Sequence, residues 1–221
     1  MDQQFMRTME SLCIQNEPPA CVTACPLHVD SRTMLKLVAS GKFEDAYSLY
    51  QKNVPFPSIL SKICNSPCLL KCRLSEIGEG IQIRPIEAFL NQYADPSFLP
   101  KVLPGKRQKA GIFGSELDSL STAYDLRRKG YQVTILNADT VLAKNLCAFN
   151  EEILPSAEIE NAIRLLEKIG VKIQTGFKLP QFEELSHNDS RLFRIGDSEF
   201  QCIYLPHLSE ELSIDPITRM T

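Results

Sequence analysis

The chain is short of several features, and each shortage removes a class of function. No run of about 18 apolar residues occurs, so no helix able to cross a bilayer is written in it. Lys and Arg are scattered apart from the short stretch Lys106-Arg107-Gln108-Lys109, and the net charge is −3 with a pI near 5.7, which leaves no basic footprint for nucleic acid. Residues 1–12, MDQQFMRTMESL, lack the basic flank, apolar stretch and small-residue cleavage site of a secretory signal, so a cytoplasmic setting is expected. There is no Gly-rich Walker loop and no nucleophile elbow, and His28, His187 and His207 are not spaced as metal ligands. Independent catalysis has no visible residues.

Cysteine is present in a pattern. Six of the eight cysteines fall in two groups, Cys13, Cys21 and Cys25-Pro26, then Cys64, Cys68 and Cys72. Cys21-x3-Cys25-Pro26 matches the end of the bacterial ferredoxin run, in which the cysteine before proline ligates a different cluster from its neighbours. The spacing therefore points to two iron–sulfur clusters braided across two loops. Zinc held by the two x3 pairs and a disulfide framework are the alternatives, the second requiring an oxidising compartment. Cys147 and Cys202 stand apart and read as plain buried or free thiols.

A chain of 221 residues forms one or two domains, and two regions separate along it. Residues 1–100 read as helices punctuated by cysteine loops. Ser31 and Thr33 are candidate caps for a helix through Met34 and Val38 that Gly41 ends. Phe43, Ala46, Tyr47 and Tyr50 recur at helical spacing before Pro55, Pro57 opens a short helix that delivers Cys64, and a fourth helix runs from Arg84 to about Tyr93. These apolar stripes read as core and as nothing else. Residues 101–108, within a Pro-rich and basic stretch, form a linker.

Residues 109–221 change pattern. KAGIF at 109–113 reads as a strand ending at Gly114, Leu117 to Lys129 as a helix closed by Gly130, and QVTIL at 132–136 as a second strand. Ser156 is a candidate cap for a long helix ending at Gly170, with a strand at 171–174 behind it. Two late β-rich stretches, 191–195 and 199–205, flank Gly196-Asp197. A parallel sheet with crossover helices is the simplest architecture. The fold class expected is thus α plus α/β, a helical two-cluster [4Fe-4S] domain followed by a truncated Rossmann-like domain.

Taken together, these regions resemble the N-terminal part of the glutamate synthase small subunit family, shared by dihydropyrimidine dehydrogenase and bifurcating NADPH:ferredoxin oxidoreductases. The resemblance runs over roughly residues 5–207 and is strongest between Glu10 and Leu90. The family's first motif resembles C-x2-C-x4-C-x3-C-P; Cys13, Cys21 and Cys25-Pro26 fit three of its cysteines, and Asn16 stands where the second should be. The second motif, V-C-x3-5-C-x3-C, is matched by Ile63-Cys64, Cys68 and Cys72, and a carboxylate or amide about fifteen residues on falls at Glu87. The resemblance implies one cluster held by Cys25, Cys64, Cys68 and Glu87. It implies a second held by Cys13, Cys21 and Cys72 with one ligand missing. Glu17 or a partner residue could complete that second set, or the site could carry an exposed iron, hold three irons, or stand empty. The alternative for Glu87 is an exposed helical glutamate.

Where the resemblance predicts a flavin site, the residues depart from it. The dinucleotide fingerprint needs glycines so that backbone approaches pyrophosphate, but the chain reads Gly114-Ser115-Glu116-Leu117-Asp118-Ser119. Asn137 replaces the acidic residue that accepts ribose hydroxyls, Lys144-Asn145-Leu146-Cys147 replaces a Gly-Gly pair, and Leu205-Pro206-His207 replaces an Ala-Thr-Gly turn. FAD is not expected, the domain being kept as scaffold, and the sequence ends before the NAD(P)H domain that the relatives insert. The implied function is a non-catalytic electron-transfer subunit of a multisubunit oxidoreductase, working beside flavin, iron–sulfur or NAD(P)H subunits in an anaerobe. The competing readings are an FAD-binding subunit that recruits a separate NAD(P)H subunit, and a zinc-stapled assembly adaptor.

Overall fold

The computed structural model describes residues 3–7, 19–76, 78–95, 99–177, 187–188, 192–195 and 198–206. Two compact units divide the chain, one of residues 1–98 and 150–158, the other of residues 99–149 and 159–221.

The first unit is helical. Pro19 precedes α1 (Ala20–Ala24) and Pro26 follows its cap Cys25, which confines that helix to one turn. Helix α2 (Ser31–Ala39) is capped by Asp30, whose carboxylate accepts the Thr33 N–H at 3.0 Å, so the cap lies one residue before the expected serine. Ser31 is instead the first helical residue and is buried. Helix α3 (Phe43–Asn53) turns Ala46, Tyr47 and Tyr50 inward and stops before Pro55. Pro57 sits in the first turn of α4 (Pro57–Ile63), where its missing N–H has no intrahelical partner to lose. Helix α5 (Ile83–Leu90) buries Ile83, Glu87 and Leu90, at the i, i+4, i+7 spacing of a single face. The helices share a core of Val29, Met34, Ala46, Tyr47, Tyr50, Val54, Ile83 and Leu90. Cys21, Cys25 and Cys68 pack against it.

The second unit is built on a parallel sheet. Strands β1 (Lys109–Phe113) and β2 (Gln132–Leu136) pair in parallel with Ile112 opposite Ile135, and helix α6 (Leu117–Arg128) crosses between them. The turn after α6 demands glycine. Gly130 has φ +89°, its N–H closes on the Arg127 carbonyl, and a Cβ there would run into the Pro104 carbonyl. Residues 103–106, read as linker, are tied to this turn through Leu103 N–H to Arg128 O (2.8 Å) and Lys106 N–H to Gly130 O (2.8 Å). A one-turn helix, α7 (Lys144–Cys147), follows β2, and α8 (Ser156–Lys168) leads to β3 (Lys172–Gln174), parallel to β2. Ser156 does not cap α8 through its hydroxyl. It is the first helical residue, and the Glu151 carboxylate accepts both its N–H and its hydroxyl.

Strands β4 (His187–Asn188), β5 (Leu192–Ile195) and β6 (Ser198–Phe200) form a small antiparallel sheet, and β7 (Cys202–Tyr204) joins β1 in parallel. The main sheet therefore runs β3-β2-β1-β7. Gly196-Asp197, His207 and the start of the stretch at 191 lie outside the described residues.

Candidate metal centre

The cysteines sit where helices stop. Cys21 lies in α1 and Cys25 caps it with extended backbone; Cys64 caps α4 in the same conformation. Cys68 and Cys72 bracket a 3-10 turn at Leu69–Lys71, and that turn packs against α1. Helix ends free the backbone to reach the thiols. Ser66, at φ +56°, aims its N–H at Cys64 Sγ (3.3 Å), and its carbonyl accepts the Leu69 N–H at 3.0 Å. Arg84 Nη1 donates to the Cys64 carbonyl at 2.9 Å. Gly80 leaves room beside Cys72, because a Cβ there would meet Leu69 and the Cys72 Cβ. Cys13, Asn16 and Glu17 lie outside the described residues.

Helix α5 carries Glu87 into this region. The glutamate is 9% exposed, so the exposed helical alternative does not hold. Burial pushes its carboxyl up to about 7, partly offset by a hydrogen bond from the Tyr50 phenol. No Lys or Arg among the described residues forms an ion pair with it. The Cys68 thiol is pushed up to about 11, first by burial and then by the charges of Glu87, Cys64 and Cys25. Those three groups thus lie near enough to act on Cys68.

Half-buried acids gathered without a cation make a site that favours a positive charge, since metal binding displaces the protons that burial and mutual repulsion hold. Among the described residues, no three His, Cys, Asp or Glu side chains converge tightly enough for one metal ion. A tetrahedral zinc with bonds of about 2.3 Å holds its sulfurs roughly 3.8 Å apart. The ligands of a [4Fe-4S] cube each bind a different iron and stand farther apart. Charges of Glu87, Cys64 and Cys25 that reach Cys68 without such convergence suit the larger group better than a single ion.

Residues 2–97 match the family described as dihydropyrimidine dehydrogenase domain II, 4Fe-4S cluster. That segment is a member of this iron–sulfur family. The chain is similar to the NADPH-Fe(3+) oxidoreductase subunit beta of Geobacter sulfurreducens, 28% identical over 53% of this chain and 18% of that protein. It is also similar to the NADP(+)-dependent formate dehydrogenase subunit beta of Moorella thermoacetica, 25% identical over 69% of this chain and 25% of that one. The glutamate synthase [NADPH] small chain of Azospirillum brasilense is 27% identical over 76% of this chain and 36% of its own length. These alignments span between about a fifth and just over a third of the relatives' lengths.

Beyond the iron–sulfur domain, the loop after β1 is closed by its own side chains. Gly114 turns at φ +80°, and Pro206 lies against the place a Cβ would take. The buried Ser115 hydroxyl accepts the Ala143 N–H at 2.9 Å, and Glu116 Oε2 accepts the Asn145 N–H at 3.1 Å. Asp118, in the first turn of α6, accepts the Tyr204 hydroxyl at 3.2 Å. The Asn137 side chain donates to the Asp139 and Val141 carbonyls, at 2.8 and 3.1 Å. The residues singled out as departures from a flavin site are those that tie these loops together.

Sequence reasoning missed two neighbours of the metal centre. Tyr50 occupied a core stripe whose spacing a phenylalanine would satisfy equally. Only the need of a buried phenol for a partner signalled more. Arg84 carried no signal, since its link is to a backbone carbonyl.

Proposed function

We propose that this chain is an iron–sulfur electron-transfer subunit of a multisubunit oxidoreductase, relaying electrons between redox centres on partner subunits. The observation that carries the reading is the match of residues 2–97 to a [4Fe-4S] family, and the burial of Glu87, a carboxylate whose charge reaches Cys68, supports it. When bound, a [4Fe-4S] cluster supplies reversible one-electron transfer. Cys25, Cys64 and Cys68 hold it through thiolates and Glu87 through its carboxylate, the four giving up their protons on ligation. The Ser66 N–H steadies the sulfur of Cys64, and burial of Glu87 limits water at the centre. Cys13, Cys21 and Cys72 form the second ligand set, incomplete because Asn16 stands in place of a thiolate.

The unit of residues 109–221 is read as a Rossmann-like domain retained to dock or brace the assembly rather than to hold flavin. The carboxylates of Glu116 and Asp118 stand beside the N-terminus of α6, where a pyrophosphate would otherwise be drawn, and repel it. The names of the relatives support partners that carry NAD(P)H chemistry. Anaerobic purification of the native protein with its complex tests the reading, through iron, sulfide, zinc and flavin analysis of this chain. Iron and sulfide in equal amounts without FAD are expected. Zinc without iron, or stoichiometric FAD on the isolated chain, would overturn it.

A further inference from the structure

One face of the main sheet changes character along its strands. Side chains alternate in direction, so Lys109 and Gly111 of β1, Gln132 and Thr134 of β2, and Lys172 and Gln174 of β3 share that face. Phe113 and Leu136 continue it toward the strand ends and are buried with Phe200. The Phe200 ring covers the sheet at Gly111, where a Cβ would come within 3.2 Å of it. The apolar cover stops there. Toward the strand starts lies a cavity of about 220 Å³ with Phe200 in its wall.

Three cations line this cavity, Lys109, Arg127 and Lys172, and among the described residues no Asp or Glu does. Register sets Lys109 opposite Gln132 and Lys172 opposite Thr134, so the two lysines flank β2. Arg127 is held in place by backbone, Nε donating to the Ile169 carbonyl at 2.6 Å and Nη1 to the Tyr131 carbonyl at 3.3 Å. Its Nη2 has no hydrogen-bond partner among the described residues and lies beside Gly170, a wall residue whose Cβ would stand 3.1 Å from it. None of the three cations forms an ion pair among the described residues. Thr134 and Ser198 add hydroxyls to the wall. Like charges around one space repel one another, and an anion placed between them turns that repulsion into attraction. Lys129 and Lys168, at the ends of α6 and α8, are exposed, face the negative ends of their helix dipoles and are not in the wall.

We propose that this cavity binds a compact polyphosphate anion, with the Arg127 guanidinium as its fixed anchor and Lys109 and Lys172 neutralising it from either side. Strands β1 and β3 stand two strand spacings apart, about 10 Å, a span that two linked phosphoryl groups meet better than one. A diphosphate esterified at both ends, as in FAD, carries less charge and brings two bulky ends, so it is not a ligand here. The site lies at the starts of the parallel strands, at the other end of the sheet from the Gly114 loop where a dinucleotide fingerprint would stand.

The experiment titrates the full chain with sodium pyrophosphate at constant ionic strength, read by calorimetry and by the melting temperature of the sheet unit. It compares the parent with Lys109→Gln/Lys172→Gln and with Lys129→Gln/Lys168→Gln, which removes two charges outside the cavity. The parent should bind one pyrophosphate per chain saturably and melt higher in its presence. The cavity pair should weaken binding about 10-fold or more, through the loss of two charge-assisted hydrogen bonds. The control pair should change it about 2-fold or less, since exposed charges away from the anion are screened by salt. Equal weakening by both pairs would show attraction to diffuse charge and overturn the site. Heat that fails to saturate, or that is alike in all three proteins as iron extraction by pyrophosphate would make it, would overturn it as well.

Discussion

Cys64 and Cys68 are the residues most directly exposed to test, since each caps or starts an element on one side of the centre and both act on Glu87's neighbourhood. Replacing either by alanine should remove about four irons per chain and loosen the helical unit, because ligation contributes to folding in small metal-stapled domains. Iron analysis and melting temperature read the outcome, and parental iron in both variants would remove them from the ligand set. Glu87 gives the metal-free chain a pH dependence of definite sign. Its folded-state carboxyl is raised from 4.5 to about 7, so the folded form binds the proton more tightly than the unfolded one. The stabilisation is full below about pH 4.5 and is lost as pH rises through 7, at most on the order of 3 kcal/mol. Urea titrations of iron-free protein between pH 5 and 8 should show that decline, and Glu87→Gln should flatten it.

At the scale of elements, the residues that write a strand or helix in full were legible and those that depend on a neighbour were not. KAGIF and QVTIL, buried on both faces, read as apolar runs and form β1 and β2 over the same residues. The stripe of α3 followed from periodicity and the turn at Gly130 from the glycine itself, whereas α5 buries Ile83, Glu87 and Leu90 and leaves Phe89 exposed. The caps of α2 and α8 were misplaced by side chains outside the helices, Asp30 and Glu151, which took over the N–H groups. Four-residue α7 has no period to read. In the centre, the thiols were visible through spacing, whereas Tyr50 was hidden because its contribution hangs on one oxygen. The loop after β1 carries a prediction of its own. With Ser115, Glu116 and Asp118 all engaged, the isolated chain should show no FAD binding by calorimetry at micromolar concentration. Saturable heat with one FAD per chain would mean that the loop opens.

Across the whole molecule, each compact unit has its own apolar core, Met34 and Leu90 in the helical one, Phe113, Leu136 and Phe200 in the other. In the proposed ligand set, iron ties loops of the first unit alone. Stripping the clusters with a chelator should therefore lower the melting of the helical unit by many degrees and leave the transition of the sheet unit in place, since a ligand stabilises only the fold that binds it. Calorimetric scans before and after chelation measure it, and a common downward shift of both transitions would show that the units unfold together. The side chains of Ser115 and Glu116 have a consequence for the cell as well as for the fold. A loop ordered by a dissociable dinucleotide is only as stable as the free supply of that dinucleotide allows. Here the anion is a carboxylate of the chain itself, synthesised with the loop it secures and never able to leave. On the proposed flavin-free reading, the sheet unit should mature to the same stability in a riboflavin-starved cell as in a replete one, its abundance staying level while that of flavin-dependent neighbours falls.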